Sequence, residues 1–161
     1  MSRNPRWGVV AASALLIVAL AGCAQIPADV DGTVARLAEG GSLRVGITAN
    51  PPWTETSGDE PSGTEVDLVE VFAAEHGADI EWSEGSEAVL AEVLRAGSLD
   101  VAIGGFVDTS PWTDKAAFTD VYTEVTGPGG VTEKHIMFTR PGENRLLVML
   151  EVFLRENGAA S

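Results

Sequence analysis

Between Leu43 and Phe106 the chain alternates short apolar runs with amphipathic ones, and that alternation limits the folds open to it. "LRVGIT" (Leu43 to Thr48) and "LDVAIGGF" (Leu99 to Phe106) are unbroken apolar runs of the length that suits buried strands, and "DIEWS" (Asp79 to Ser83) lies between them as a third. "VDLVEVFAAEHG" sets Val66, Leu68, Val69, Phe72 and Ala73 at helical spacing, with Gly77 where a C-terminal cap belongs. "SEAVLAEVLRAG" does the same with Val89, Leu90, Val93 and Leu94, between Ser86 as the expected N-cap and Gly97 as the closing glycine. Strand and helix in turn, with short connections, predict a parallel sheet covered by helices.

The flanking segments fit around that unit. Ala24 to Asp31 read as a linker, and Thr33 to Glu39 as a small helix ending at Gly40-Gly41. The loop "ANPPWTETSGDEPSGTE" is long for a plain connection and is a candidate functional loop. Gly104-Gly105 falls at the carboxyl end of a strand, where open α/β sheets place their ligand crevice. In "DTSPWTDKAAF", Ser110 and Pro111 suit the Ncap and N1 positions of a one- or two-turn helix. "VYTEVTGPGGVTEKHIMF" places strand-forming runs on both sides of Gly127-Pro128-Gly129-Gly130, a sharp reversal. "ENRLLVMLEVFLREN" is a final helix with Leu146, Leu147, Leu150, Val152, Phe153 and Leu154 on a wide apolar face.

The first stretch, "MSRNPRWGVVAASALLIVALAGC", stands apart from this pattern. Arg3 and Arg6 precede an uncharged apolar run, Val9 to Leu20, too short for a membrane span and of the kind found in export leaders. Its ending, "LAGC", resembles the lipobox of bacterial lipoproteins, which implies cleavage before Cys23 and a lipid anchor on that residue. Cys23 is the only cysteine, so the chain forms no internal disulfide. Residues 1–22 are therefore read as leader, 23–41 as the lipidated N-terminus with linker and short helix, and 42–161 as one folded unit. The formal net charge is −14, and loss of the two leader arginines makes it −16. Such a surface repels phosphate backbones and anionic headgroups, which sets nucleic-acid binding aside.

In order and spacing, "LRVGITANPPW", "GTEVDLVEVFAAEHG", "LRAGSLDVAIGGF" and "AAFTDVYTEV" resemble the family 3 extracellular solute-binding proteins of ABC importers, from about Leu43 to Val125. The resemblance implies a three-layer α/β/α lobe of the type II periplasmic-binding-protein fold, with a mixed, mostly parallel sheet of about five strands. Members of that family hold a solute between two lobes joined by two crossing strands. Here "FTDVYTEV" resembles the outgoing strand and "KHIMFTRPGENRLLVMLEVFL" the returning strand with its helix, so a hairpin at Gly127-Pro128-Gly129-Gly130 stands in place of the second lobe.

The resemblance also implies where a solute would lie. The aromatic ring of the first loop falls on Trp53, and the segment after the third strand falls on Gly104, Gly105, Phe106 and Val107. The position of the arginine that clamps a solute carboxylate in amino-acid-binding members is taken by Trp112, which cannot make that pair. Trp53, Gly105, Phe106, Val107, Trp112 and Asp67 are thus the expected ligand-binding residues, suited to an amino-acid-like or cationic solute by stacking and cation–π contact. The same indoles could instead form a patch for another protein. Each also has a structural reading: Trp53 packed on its loop, Trp112 covering apolar surface, Asp67 complementing a helix N-terminus.

His76 and His135 read as surface or packing residues, and no serine, cysteine or lysine has neighbours that would activate it. No metal-loop spacing is present, so the expectation is a binding protein with no catalytic residue, metal or cofactor. The expected role is a membrane-anchored extracytoplasmic solute-binding lipoprotein tied to ABC-type uptake of amino acids or similar small polar or cationic solutes. Its expected partners are the solute, an ABC permease, and a second copy that would rebuild a cleft. The alternative is an interaction module that docks on a membrane or envelope protein through the open cleft face.

Overall fold

The computed structural model describes residues 28–158; the leader and the lipidation expected at Cys23 lie outside them. Helix α1 (Thr33–Ala38) precedes strand β1 (Leu43–Ile47), helix α2 (Thr64–Glu75), strand β2 (Ile80–Glu84), helix α3 (Glu87–Arg95) and strand β3 (Val101–Val107). Strands β4 (Ala117–Phe118), β5 (Thr123–Thr126) and β6 (Thr132–Thr139) follow, and helix α4 (Asn144–Asn157) ends the fold. The strands form one sheet in the order β2-β1-β3-β6-β4, with β5 also paired to β6. β1 is parallel to β2 and to β3, whereas β6 runs antiparallel to β3, β4 and β5. The sheet thus has six strands against the five expected, the additional one being the two-residue β4.

Alternate residues of the strands feed two cores, which makes three layers. Leu43, Val45, Ile47, Val101, Ile103 and Met137 face one core with Phe72 and Val69 of α2 and Leu146, Leu150 and Phe153 of α4. Ala102, Phe106, Ile136 and Phe138 face the other, with Leu90 and Leu94 of α3. In that second core Phe138 lies between Phe106 and Phe118, at ring-centroid distances of 4.3 and 4.6 Å. Gly46 lets the layers meet, since a Cβ there would stand 2.7 Å from Leu99 and 2.8 Å from Leu90. Gly77 and Gly97, read as caps, hold φ of 66° and 83° just past their helices.

One local expectation is met in position and another is corrected. Ser86 occupies the N-cap of α3 with extended backbone, yet its hydroxyl makes no capping bond. The segment at Ser110-Pro111 does not become a helix: Lys115 and Ala116 both donate to the Trp112 carbonyl, a single turn that gives way directly to β4. One hydrogen-bonded turn does not repay helix nucleation, and the short distance to β4 leaves no room for a second.

The amino ends of β1 and β3 are fastened by a buried ion cluster. Asp100, 0 % exposed, accepts from the guanidinium groups of Arg36 and Arg44 and from the Arg44 backbone N–H. Burial alone would raise the Asp100 pKa, but these bonds outweigh it and hold the carboxyl below its usual range. At the far edge of the sheet the chain reverses as expected. Gly127 N–H donates to the Val131 carbonyl and Gly130 N–H to the Gly127 carbonyl, with Gly130 at φ 73°. The hairpin β5–β6 completes the lobe as one covalent unit.

Candidate functional site

The carboxyl ends of β1 and β3 border an open cavity of about 220 Å³. Its wall is formed by Thr48 to Asn50 after β1, Gly104 to Val107 of β3, Ser110, and Glu87 at the start of α3. The parallel pairing of β1 with β3 brings these segments together, because both strands then end on the same side of the sheet.

The floor of the cavity is shaped by an irregularity in β3. Ala102 pairs with Phe138 and Phe106 with Ile136, so two extra residues of β3 are accommodated against β6. Gly105 within this bulge has φ 64°, and a Cβ there would lie 2.5 Å from the Trp53 ring and 2.6 Å from Asn50. The glycine pair is held from below by Glu65, whose Oε2 accepts from the N–H of Gly104 (2.8 Å) and of Gly105 (2.9 Å). The Tyr122 hydroxyl donates to the other oxygen, Oε1. Glu65 is 0 % exposed, and burial pushes its pKa up while these three bonds pull it down; the net shift is upward. The Tyr122 phenol, buried beside that carboxyl, is raised well above its usual range.

The long loop after β1 brings Trp53 to this place. Its backbone replaces a side-chain cap on α2, with the Trp53 carbonyl accepting from Glu65 N–H at 3.0 Å. The Trp53 indole then packs on His135 in a tilted arrangement, 4.0 Å between ring centroids and 35° between planes. His135 is 1 % exposed, and neither ring nitrogen makes a hydrogen bond of good geometry. Burial holds its pKa below the usual value, opposed by Glu133 and a weak contact with the Gly105 backbone.

Of the residues expected to bind a ligand, Gly105, Phe106 and Val107 line the cavity, although the Phe106 side chain turns into the core. Trp53 stands directly behind Gly105. Trp112 does not line that cavity: it packs on the second core, with Lys115 Nζ 4.8 Å from its ring centroid. Asp67 lines a separate groove between α2 and α4, beside Val71 and Asn157. Sequence reading missed Glu65, Asn50, Glu87 and Ser110. For Glu65 a signal existed: it stands four residues before Val69 and seven before Phe72, on the apolar stripe of α2.

Among the described residues no three His, Cys, Asp or Glu side chains gather as a metal site, and no helix is long and apolar enough to cross a membrane.

Residues 43–159 match the model of the bacterial extracellular solute-binding proteins, family 3. Among curated proteins the chain is 36% identical over 122 residues to membrane-bound lytic murein transglycosylase F of Maricaulis maris, covering 71% of this chain and 27% of that protein. The chain thus spans about a quarter of the length of the curated relative it matches. Among solved structures it is similar to the arginine-bound form of domain 1 from TmArgBP, with a TM-score of 0.65, 27% identity, and coverage of 76% of this chain and 97% of that one. It shares its fold with an ancestral cationic amino acid solute-binding protein, AncCDT-1, at a TM-score of 0.66 and 15% identity over 77% of this chain and 93% of that one.

Proposed function

Because this chain belongs to the bacterial extracellular solute-binding proteins, family 3, we propose that it is an extracytoplasmic receptor for an amino acid or a similar small polar or cationic solute. The cavity at the ends of β1 and β3 is its binding place. The observation that carries this reading is the likeness to an isolated, arginine-bound lobe, nearly all of which this chain covers. That likeness makes a one-lobed receptor physically reasonable. Lipid attachment at Cys23 would hold the domain at the membrane, and an ABC permease would take the solute from it.

The protein acts by binding and not by catalysis in this reading. Glu65, the one fully buried glutamate beside the cavity floor, is engaged by three donors and has no free face to offer a substrate. A second reading, an interaction module docking on an envelope protein through the open cleft face, draws support from the transglycosylase relative, in which the matching part accounts for 27% of a longer chain.

A thermal-shift screen of the chain from Ala24 onward, against millimolar amino acids, polyamines, betaines, sugars and organic acids, tests the proposal. A solute at about 100 times its dissociation constant adds about 2.7 kcal/mol to native stability, a readily measured rise in Tm. A reproducible rise for one solute class is the expected result. A flat screen on a cooperatively folded protein would move the assignment to a protein partner.

A further inference from the structure

The cavity lined by Glu87, Asn50 and Ser110 has a hydrogen-bonding inventory weighted towards acceptors. Asn50 Nδ2 is engaged by the Gly104 carbonyl at 2.8 Å, and the Ser110 hydroxyl donates to Glu87 Oε1 at 2.7 Å. The Gly104 and Gly105 N–H groups point away to Glu65, and the backbone N–H groups of Thr48, Asn50 and Ser110 are bonded to Ile103, Thr54 and Val107. These groups leave for a solute the second carboxylate oxygen of Glu87 and the amide oxygen of Asn50 as acceptors, with the second N–H of the Asn50 amide as the remaining side-chain donor. The Thr48 hydroxyl can serve either way.

Charge points in the same direction. Among the described residues Glu87 is the only charged one lining the cavity. The two lysines nearest in sequence to its outer segments are paired elsewhere, Lys115 with Glu92 and Lys134 with Glu124. A solute carboxylate, which only accepts hydrogen bonds, would meet the like charge of Glu87 and few free donors. An ammonium or guanidinium group, which only donates, would meet partners for its N–H groups.

Resting on the receptor reading above, we infer that the solute class is an amine or guanidine recognised by its cationic group at Glu87 and Asn50, with no carboxylate required for binding. The site then treats agmatine as a better ligand than arginine, although the two differ only by the carboxylate.

The test is calorimetric titration of the chain from Ala24 onward, which contains every described residue, with agmatine, putrescine, arginine, argininamide and glutamine at about 150 mM salt to screen the diffuse acidic surface. Agmatine and argininamide are expected to bind at least about tenfold more tightly than arginine. Glu87→Gln should weaken agmatine about 10- to 100-fold, the range for a charge-assisted hydrogen bond. Glu39→Gln, an exposed carboxylate at the opposite end of the sheet, should leave it unchanged. Melting curves of both variants establish that they fold; Ser110→Ala, which leaves the carboxylate in place, supplies a milder second variant expected to retain the preference for agmatine. Arginine binding as tightly as agmatine, through the free first-turn N–H groups of α3 for example, would overturn the inference and leave the receptor standing, as would an unchanged affinity in Glu87→Gln. If none of the five solutes binds, the inference falls, and a flat result in the wider solute screen is then what removes the receptor reading as well.

Discussion

Glu65 holds three donors in a place with no exposure, so its replacements separate the loss of a charge from the loss of acceptors. In Glu65→Gln the amide oxygen can accept from Gly104 and Gly105 while the amide nitrogen donates to the Tyr122 oxygen, so every bond persists with one reversed. Glu65→Ala strands two N–H groups and a hydroxyl. Urea denaturation should show a loss of about 2–5 kcal/mol for the alanine and about 1 kcal/mol or less for the glutamine. The amide resonances of Gly104 and Gly105 should move strongly only in the alanine variant. The same residue shows why part of the site escaped sequence reading. A glutamate in the first turn of a helix looks like a surface residue complementing the helix N-terminus, and its place on the apolar stripe counts as one mismatch in a hydrophobic pattern. Trp53 and Gly105 enter the reading through the family resemblance, which implies an aromatic ring in the first loop and a binding segment after the third strand. Asn50, Glu87 and Ser110 are ordinary loop and helix-start residues until the sheet brings them together. His135 adds a pH dependence with a definite sign. Its pKa lies below 6.5 in the fold, so between that depressed value and 6.5 the unfolded chain binds more protons, and stability falls as pH drops through that window. Glu65, raised above 4.5, tilts stability the other way, downward as pH rises from 4.5. Denaturation from pH 4 to 8 should therefore lose its acid-side decline below 6.5 in His135→Gln and keep it in Glu65→Gln.

The hairpin between β5 and β6 shows how an element can be read from chemistry and still depend on one residue within it. The sequence marks the reversal by three glycines and a proline, but only Gly130 has a positive φ, 73°, while Gly129 has none and both stand in open space. Gly130→Ala should cost about 1–2 kcal/mol through left-handed backbone strain. Gly129→Ala, whose native conformation suits any residue, should be neutral or stabilise by about 0.4–1 kcal/mol by restricting the unfolded chain. Thermal denaturation of the two variants checks the contrast; equal effects would mean that the reversal is not seated on Gly130. The elements that sequence reading placed well carry their own local signals: β1 is an unbroken apolar run, and α2, α3 and α4 repeat apolar residues at helical spacing. The turn at Trp112 and the two-residue β4 were missed because their form is set by pairing with β6 and by contact with the second core, neither of which leaves a local pattern.

At the scale of the molecule, the consequence of a single lobe concerns closure. The family resemblance implies a solute held between two lobes, whereas here the two strands β5 and β6 are joined directly at residues 127–131 and lie in the same sheet as the cavity. An open cavity of about 220 Å³ covers only part of a solute, so affinity rests on the few groups at its wall and should be micromolar or weaker. Small-angle X-ray scattering reads this directly. The described domain has an expected radius of gyration of about 14 Å, and a dimer of it about 18 Å. Saturating solute should leave the radius at the monomer value, because the described strands all belong to one sheet. A contraction would mean that a segment moves onto the solute. A rise to the dimer value on adding solute would show a second copy covering the cleft, and the affinity would then depend on protein concentration, as it does whenever assembly and binding are linked.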